Sequence, residues 1–272
     1  LAPNYAMVCN IIPAVINIVL DYVFIFILKW GMFGAALATS LGYIVGAVMI
    51  LAYLFHPERI LHVCRVKLSK KSLYLTIRNV GYMCRLGFSS FLCETAIATM
   101  MFVGNYVFIR YLGEDGVAAY SIACYFFPIA FMVYNAIAQS AQPILSYNYG
   151  AKCTARVRET FRLALTTAIL CGAGVFLLTW IFSHQIVGMF LDSSYPAYNI
   201  AVKGLPLFAS GFVFFGINIV SIGYFQSLER DCPAMIVTLL RGFALILLCF
   251  WILPIIWGSW GIWLAVPMSE LL

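Results

Sequence analysis

Glu94 stands in the run "FSSFLCETAIATMMF", residues 88–102, whose other members are apolar or weakly polar. An ionised carboxylate near the centre of a lipid-embedded helix costs roughly 3 kcal/mol or more, so a membrane chain that keeps one there must use it or neutralise it. Steps of four, seven and four residues put Ser90, Glu94, Met101 and Asn105 on one helical face. Such a face is expected to turn toward other helices or a wet cavity rather than toward lipid. A carboxyl there can take up a proton or a cation on one side of a membrane and release it on the other. One charge moving down 100 mV gains about 2.3 kcal/mol. Two readings stand for Glu94: the carrier of a coupling proton or cation, or a structural acid hydrogen-bonded to another helix.

Other polar residues fall inside apolar runs. Asn10, Asn17 and Asp21 share a helical face at steps of seven and four, and Pro13 lies on the same stretch. A proline inside a membrane helix frees backbone carbonyls that can line a cavity. Asp21 is a second candidate for cation coupling with Asn17 beside it, or the pair belongs to a polar cluster at a helix end. Asn218 is the polar residue nearest the middle of "FASGFVFFGINIVSIGYFQ", and Glu270 lies in "AVPMSELL" at a depth that suggests a role like that of Glu94. Arg241 is expected to snorkel to the inner surface or to pair with Glu229 or Asp231. Gln139 and Gln142 are expected to satisfy backbone near "PILSYNYG", with substrate contact as the second reading. Aromatic faces attract organic cations and methionine adapts to varied ligands, so Phe126, Phe127, Met132 and Tyr134 are candidates for a pocket wall as well as for packing.

No arrangement here suits catalysis. The three histidines, His56, His62 and His184, lie between the apolar runs, with no Ser–His pair or Asp pair to act as acid, base or nucleophile. The nine cysteines are scattered with no CxxC, so they read as small apolar residues rather than metal ligands or disulfides. The chain is therefore not expected to be an enzyme or to carry a cofactor.

The elements that hold these groups follow from composition. Hydrophobic residues make up 64% and charged residues 10% of the 272, against about 25% charged in soluble domains. Backbone polar groups in lipid must be satisfied internally, which leaves helices or closed barrels. The apolar runs are long and continuous, without the two-residue alternation of a barrel, so an all-α polytopic bundle is expected. About eight runs approach the 20 residues that a bilayer requires, at 8–28, 33–55, 86–109, 117–140, 160–182, 201–224, 235–256 and 259–272. The opening "LAPNYAMVCN" is not a signal peptide, and both ends read as the edges of a fragment.

The net charge of +6 is placed in alternate loops. Segment 56–85 carries Arg59, Arg65, Lys67, Lys70, Lys71, Arg78 and Arg85, and segment 142–162 carries Lys152, Arg156, Arg158 and Arg162, whereas 183–200 has no Lys or Arg. By the positive-inside rule the two basic segments are cytoplasmic and the first run crosses outward. These charges hug span ends, which argues against a nucleic-acid surface. Leu73, Ile77 and Val80 recur at helical spacing within 56–85, as suits a helix on the inner membrane surface or a plain solvated linker.

"WGMFGAALA", 30–38, recurs as "WGSWGIWLA", 257–265, an offset of 227 residues and six runs. An even number of spans between copies gives both the same orientation, a parallel repeat with an axis along the membrane normal. The implied unit is six helices and the implied whole is twelve, of which this chain would lack the first four. The division is then 1–55, the end of an N-lobe; 56–85, an inter-lobe linker; and 86–272, a C-lobe with a truncated last span.

"NIVLDYVFIF" followed by "WGMFGAALATSLGY" resembles the fifth and sixth spans of the multidrug and toxic compound extrusion (MATE) family, and "GFSSFLCETAI" resembles its seventh. "EDGVAAYSI", "QSAQPILSYNYGAK", "GYFQSLER", "LLRGFALI" and "LPIIWGSWGIWLAVPMSE" fit the spans that follow, in order, closest to the bacterial multidrug-exporter branch. The resemblance implies two six-helix lobes in the cytoplasmic membrane, exporting cationic or lipophilic drugs by antiport with H⁺ or Na⁺, as a monomer. It places Glu94 where a coupling acid is found in the seventh span. Some members carry a second acid in the tenth span, where this chain has Asn218, which weakens the sodium case. Two alternatives remain. One is a lipid-linked oligosaccharide flippase of the same superfamily, which would want basic residues in its cavity. The other is a non-functional remnant.

Overall fold

A computed structural model describes residues 3–55 and 69–272, and every regular element among them is helical. The order is α1 (Pro3–Asp21), a π-helical turn (Tyr22–Ile27), α2 (Gly31–Leu54), α3 (Lys70–Gly150), α4 (Thr154–Ile181), α5 (Ser183–Gly188), α6 (Pro196–Ser227), α7 (Asp231–Leu239), a second π-helical turn (Leu240–Leu245), α8 (Ile246–Trp257) and α9 (Ser259–Leu271). Among the described residues, six helices are long and apolar enough to cross a membrane. The expected fold class, a polytopic α-helical membrane bundle, is the one observed.

α3 absorbs two of the expected spans. Its 81 residues are interrupted at Gly113, whose φ of 68° and ψ of −159° fall in a region that only glycine enters readily. The break gives two arms, 70–112 and 114–150. Without it the helix would run about 120 Å, several times the hydrocarbon thickness of a bilayer.

The chain divides into two compact units, Leu1–Thr76 and Ile77–Leu272. The division falls inside the expected linker 56–85. Residues 56–68, with His56, His62, Arg59, Arg65 and Lys67, lie outside the described residues. α3 begins at Lys70, within the expected linker, and Leu73, Ile77 and Val80 on it are all exposed.

In the first unit α1 and α2 pack through small residues. The buried positions of α2 are Gly34, Ala38, Gly42 and Gly46, one every four residues. A Cβ at Gly42 would lie 3.1 Å from the Pro13 carbonyl oxygen, and one at Gly46 would lie 3.1 Å from Pro13 Cγ. Lipid tails are as apolar as the helices, so close backbone approach, not hydrophobic expulsion, holds such a pair together.

The second unit has one large core. Phe127 packs against Phe215 at a tilt with ring centroids 4.5 Å apart, and Phe208, Phe212 and Tyr134 complete the aromatic cluster. α4 meets α6 where a Cβ on Gly172 would lie 2.7 Å from Val213 Cα. α6 meets α9 where Gly204 accepts the Trp263 indole. Trp251, Ile255 and Leu170, by contrast, are exposed, as lipid-facing residues should be.

The sequence repeat has a structural counterpart in each unit. Gly31 (φ 54°) opens α2 and Gly258 (φ 57°) precedes α9. Ala38 and Ala265 are each fully buried, Gly34 and Gly261 are buried, and so are Gly42 and Ser269. Matching backbone turns and matching packed faces at a constant offset argue for one helical device used twice.

Candidate functional site

A cleft of about 330 Å³ opens in the second unit between the two arms of α3 and the inner part of α6. The first arm contributes Ser90, Cys93 and Glu94; the second contributes Phe131, Asn135, Gln139 and Gln142; α6 contributes Ile219, Gly223 and Gln226. Each helix offers residues at steps of three or four, so each presents one face to the cleft. Close packing sets the spacing: a Cβ on Gly223 would lie 2.9 Å from Ala138 Cβ, and one on Gly216 would lie 2.7 Å from the Tyr134 ring. The first arm is pinned by Cys93, which is buried with its sulfur 3.5 Å from Thr238 Oγ1 on α7.

Glu94 is exposed within this cleft, and among the described residues no Lys or Arg pairs with it. Its surroundings are amides. Gln226 donates from Nε2 to Ser90 Oγ at 3.4 Å. Asn135, Gln139 and Gln142 make no side-chain hydrogen bond to the described residues. The expectation that Gln139 and Gln142 satisfy nearby backbone is thus corrected. That task falls to Ser146, which donates to the Ser227 carbonyl at 3.0 Å, and to Asn148, which donates to the Ile144 carbonyl at 2.8 Å. Asn135 and Gln226 were missed by the sequence reading. The step of four and three from Asn135 to Gln139 to Gln142 was the available signal.

Ser90 and Glu94 come together as expected, but Met101 and Asn105 do not join them. Met101 is half-buried against the apolar core, Asn105 is exposed, and neither lines the cleft. Seven and eleven residues along a helix displace them by about 10 and 16 Å, further than a shared face can compensate. Phe127 and Tyr134 are sealed in the core, Phe126 packs against it and Met132 is exposed, so Phe131 is the aromatic residue of the cleft wall.

Glu270 and Asn218 sit elsewhere. Arg241 Nη1 donates to Glu270 Oε1 at 2.8 Å and to Oε2 at 3.0 Å. Asn218 Nδ2 donates to Glu270 Oε2 and to the Glu270 carbonyl, both at 2.8 Å. The guanidinium lies 5.1 Å from the centre of the Phe215 ring. Arg241 and Glu270 are both buried and border a space of only about 10 Å³. Arg241 therefore neither snorkels nor turns to Glu229, because a partner deep in the unit lies one helix away. Glu270 is neutralised, which separates it from Glu94.

In the first unit, Asn10 and Asn17 line a hollow of about 500 Å³ with Pro13, Thr39 and Tyr43. Asn17 Nδ2 donates to Thr39 Oγ1 at 3.4 Å. Asp21 is half-buried where α1 gives way to the π-helical turn; its Oδ1 is buried without a hydrogen-bond partner, and it is not part of the hollow's lining. His184, on α5, has Nδ1 3.2 Å from the Tyr198 hydroxyl and stands apart from the cleft.

A family model described as MatE matches residues 90–251, more than half of the chain and all three walls of the cleft. The chain belongs to the MatE family. This is a family of multi-pass membrane transporters, not of enzymes. The MatE chain is 22% identical over 269 residues to the multidrug export protein MepA of Staphylococcus saprophyticus, a match that covers 99% of this chain and 58% of that protein. MepA of Staphylococcus aureus strain NCTC 8325 is similar to the same degree, 22% over 273 residues with the same coverage. A multidrug resistance MATE family transporter of the MOP superfamily, solved in an outward-facing conformation, has the same fold with a TM-score of 0.86 and 22% identity over 98% of this chain and 59% of that one. Such a transporter in an inward-facing conformation gives 0.70 at 22% identity, over 98% of this chain and 61% of that one. The MatE chain thus spans less than two thirds of the length of these relatives.

Proposed function

We propose that this MatE chain works in a secondary active exporter that expels cationic or lipophilic small molecules across the bacterial cytoplasmic membrane, driven by inward movement of H⁺ or Na⁺ at Glu94. The observation that carries the reading is the contrast between two acids. Glu270 is held by Arg241 at 2.8 Å, whereas Glu94 sits in an open cleft with no cationic side chain paired to it among the described residues. A carboxylate at membrane depth without a counter-charge is poised to take a proton, a metal cation or a cationic ligand, and these compete for one negative charge. Competition for a single site is what an antiporter requires, since occupancy by the driving ion must displace the cargo. Residues 1–55 belong, on this reading, to an N-lobe and 86–272 to a C-lobe, and transport proceeds by alternating access of the two. Asp21, half-buried with an unpartnered oxygen, is a second candidate acid in the N-lobe.

The flippase alternative receives no support from the cleft, which contains a carboxylate and four amides but no Lys or Arg to meet a pyrophosphate. The test is Glu94→Gln in the native gene product. Gradient-driven efflux of a cationic dye from cells should be lost while the amount of protein in the membrane is unchanged; efflux at the unaltered rate would refute the role of Glu94.

A further inference from the structure

We infer that the Glu94 cleft selects cations that carry N–H donors, such as protonated amines, amidinium and guanidinium groups, over fully alkylated ammonium or phosphonium cations. The inference rests on the reading of the cleft as a cation site and concerns which cations it takes.

Two kinds of site attract an organic cation. One is an aromatic cage, where ring faces supply negative potential and no hydrogen bond is needed. The other is a carboxylate with carbonyl acceptors around it, where charge and hydrogen bonding act together. The cleft has one aromatic residue in its wall, Phe131, and that ring is itself 8% exposed. The other rings nearby are spent on each other: Phe127 on Phe215, and Phe208 on Phe212 at 5.8 Å. The cleft instead has Glu94 with the amides of Asn135, Gln139, Gln142 and Gln226. Gln226 commits its NH₂ group to Ser90, which leaves its carbonyl oxygen as an acceptor. Asn135, Gln139 and Gln142 have no side-chain hydrogen-bond partner among the described residues, so their oxygens can turn toward a donor.

A protonated amine or amidinium entering this space exchanges its bonds to water for bonds to carboxylate and amide oxygens. A trimethylated cation of the same charge displaces water from those oxygens and offers nothing in return. Sites built to hydrogen-bond a ligand reject analogues that lack the donor, because polar groups of the site are then left unpaired. The volume of about 330 Å³ suits a cationic head group with part of its apolar body.

The test compares benzylammonium with benzyltrimethylammonium, which share ring and charge and differ in N–H donors. Binding is measured by calorimetry to the purified protein in lipid nanodiscs. Two or more unmade hydrogen bonds should weaken the trimethyl compound by about tenfold or more. In Gln139→Leu/Gln142→Leu, benzylammonium should weaken until the two affinities approach each other, while benzyltrimethylammonium changes little. Glu94→Gln should weaken both. Equal affinities in the unaltered protein would overturn the selectivity, and a preference that survives the double substitution would overturn its assignment to these amides, while Glu94-dependent binding of both upheld the cation site. Binding of both that ignored Glu94→Gln would overturn the cation site and the selectivity together.

Discussion

Arg241 donates through a single guanidinium nitrogen to both carboxylate oxygens of Glu270, and the pair is buried between the second π-helical turn and α9. The π-helical turn adds a residue to the helix at the point where Arg241 must reach across, a common use of such turns. Asn218 on α6 closes the group from a third helix. Three helices are thereby tied through one carboxylate. The same contact gives Glu270 a counter-charge, whereas Glu94, the acid of the cleft, has none among the described residues.

Removing one partner should therefore harm the fold, and removing both should harm it less. Glu270→Leu strands a buried guanidinium and Arg241→Met strands a buried carboxylate, and each should cost about 3–5 kcal/mol of stability. Arg241→Met combined with Glu270→Leu replaces the pair by apolar groups of similar volume and should recover much of that loss. Thermal unfolding in detergent, read across the two single variants and the double, measures the coupling. Additive effects would show that the pair does not act as a unit.

Gly172 and Gly174 lie two residues apart in α4 and should respond with opposite signs. A Cβ at position 172 would meet Val213 Cα at 2.7 Å and the Tyr134 hydroxyl at 3.0 Å, where backbone cannot yield cheaply. Gly172→Ala should cost about 1–3 kcal/mol by overpacking. A Cβ at position 174 meets nothing within 4 Å. Gly174→Ala should leave stability unchanged or raise it by up to about 1 kcal/mol through helix propensity. The unfolding midpoints of the two variants, relative to the unaltered chain, decide the matter.

Gly113 and Gly258 are needed for a different reason. Neither would crowd a neighbour if given a side chain, yet both have positive φ, 68° and 57°, with ψ of −159° and −134°. Alanine at either site should cost about 1–3 kcal/mol of backbone strain alone. Gly81→Ala, in open space within the first arm of α3, is the control and should be neutral. A neutral Gly113→Ala would mean that the arms of α3 can be joined without this turn.

The membrane class, the spans and the repeat were legible in the sequence because lipid imposes them through composition and periodicity alone. Glu94 was legible for the same reason: a lone acid in an apolar run is costly wherever it points. Periodicity fixes the face of a residue but not its height, so Ser90 reached the cleft with Glu94 while Met101 and Asn105 stopped outside it. The pairing of Arg241 with Glu270 was hidden because it joins helices 29 residues apart in the chain and depends on a local change of helical pitch. Asn135 and Gln226 were hidden because an isolated amide in an apolar run carries no charge to draw notice, although four of them around one carboxylate define the character of the site. The break at Gly113 was legible as the gap between the expected spans 86–109 and 117–140, but its φ was not, because sequence carries no sign of it.

Topology gives the last prediction. If the positive-inside rule holds for this chain, segments 56–85 and 142–162 face the cytoplasm, and counting crossings then predicts the same side for the turn after α6. Among the described residues, three exposed cysteines fall at these levels: Cys84 in the first arm of α3, Cys153 before α4, and Cys232 at the start of α7. A membrane-impermeant maleimide added to intact cells should leave all three unlabelled, and should label them once the membrane is opened. Ser193→Cys, in the turn after α5, provides the opposite case. It should react from outside, where Asp192 accepts from the Ser194 backbone at 3.1 Å in an exposed loop. Labelling of Cys153 in intact cells would invert the assigned orientation, and with it the direction in which a proton at Glu94 would drive transport.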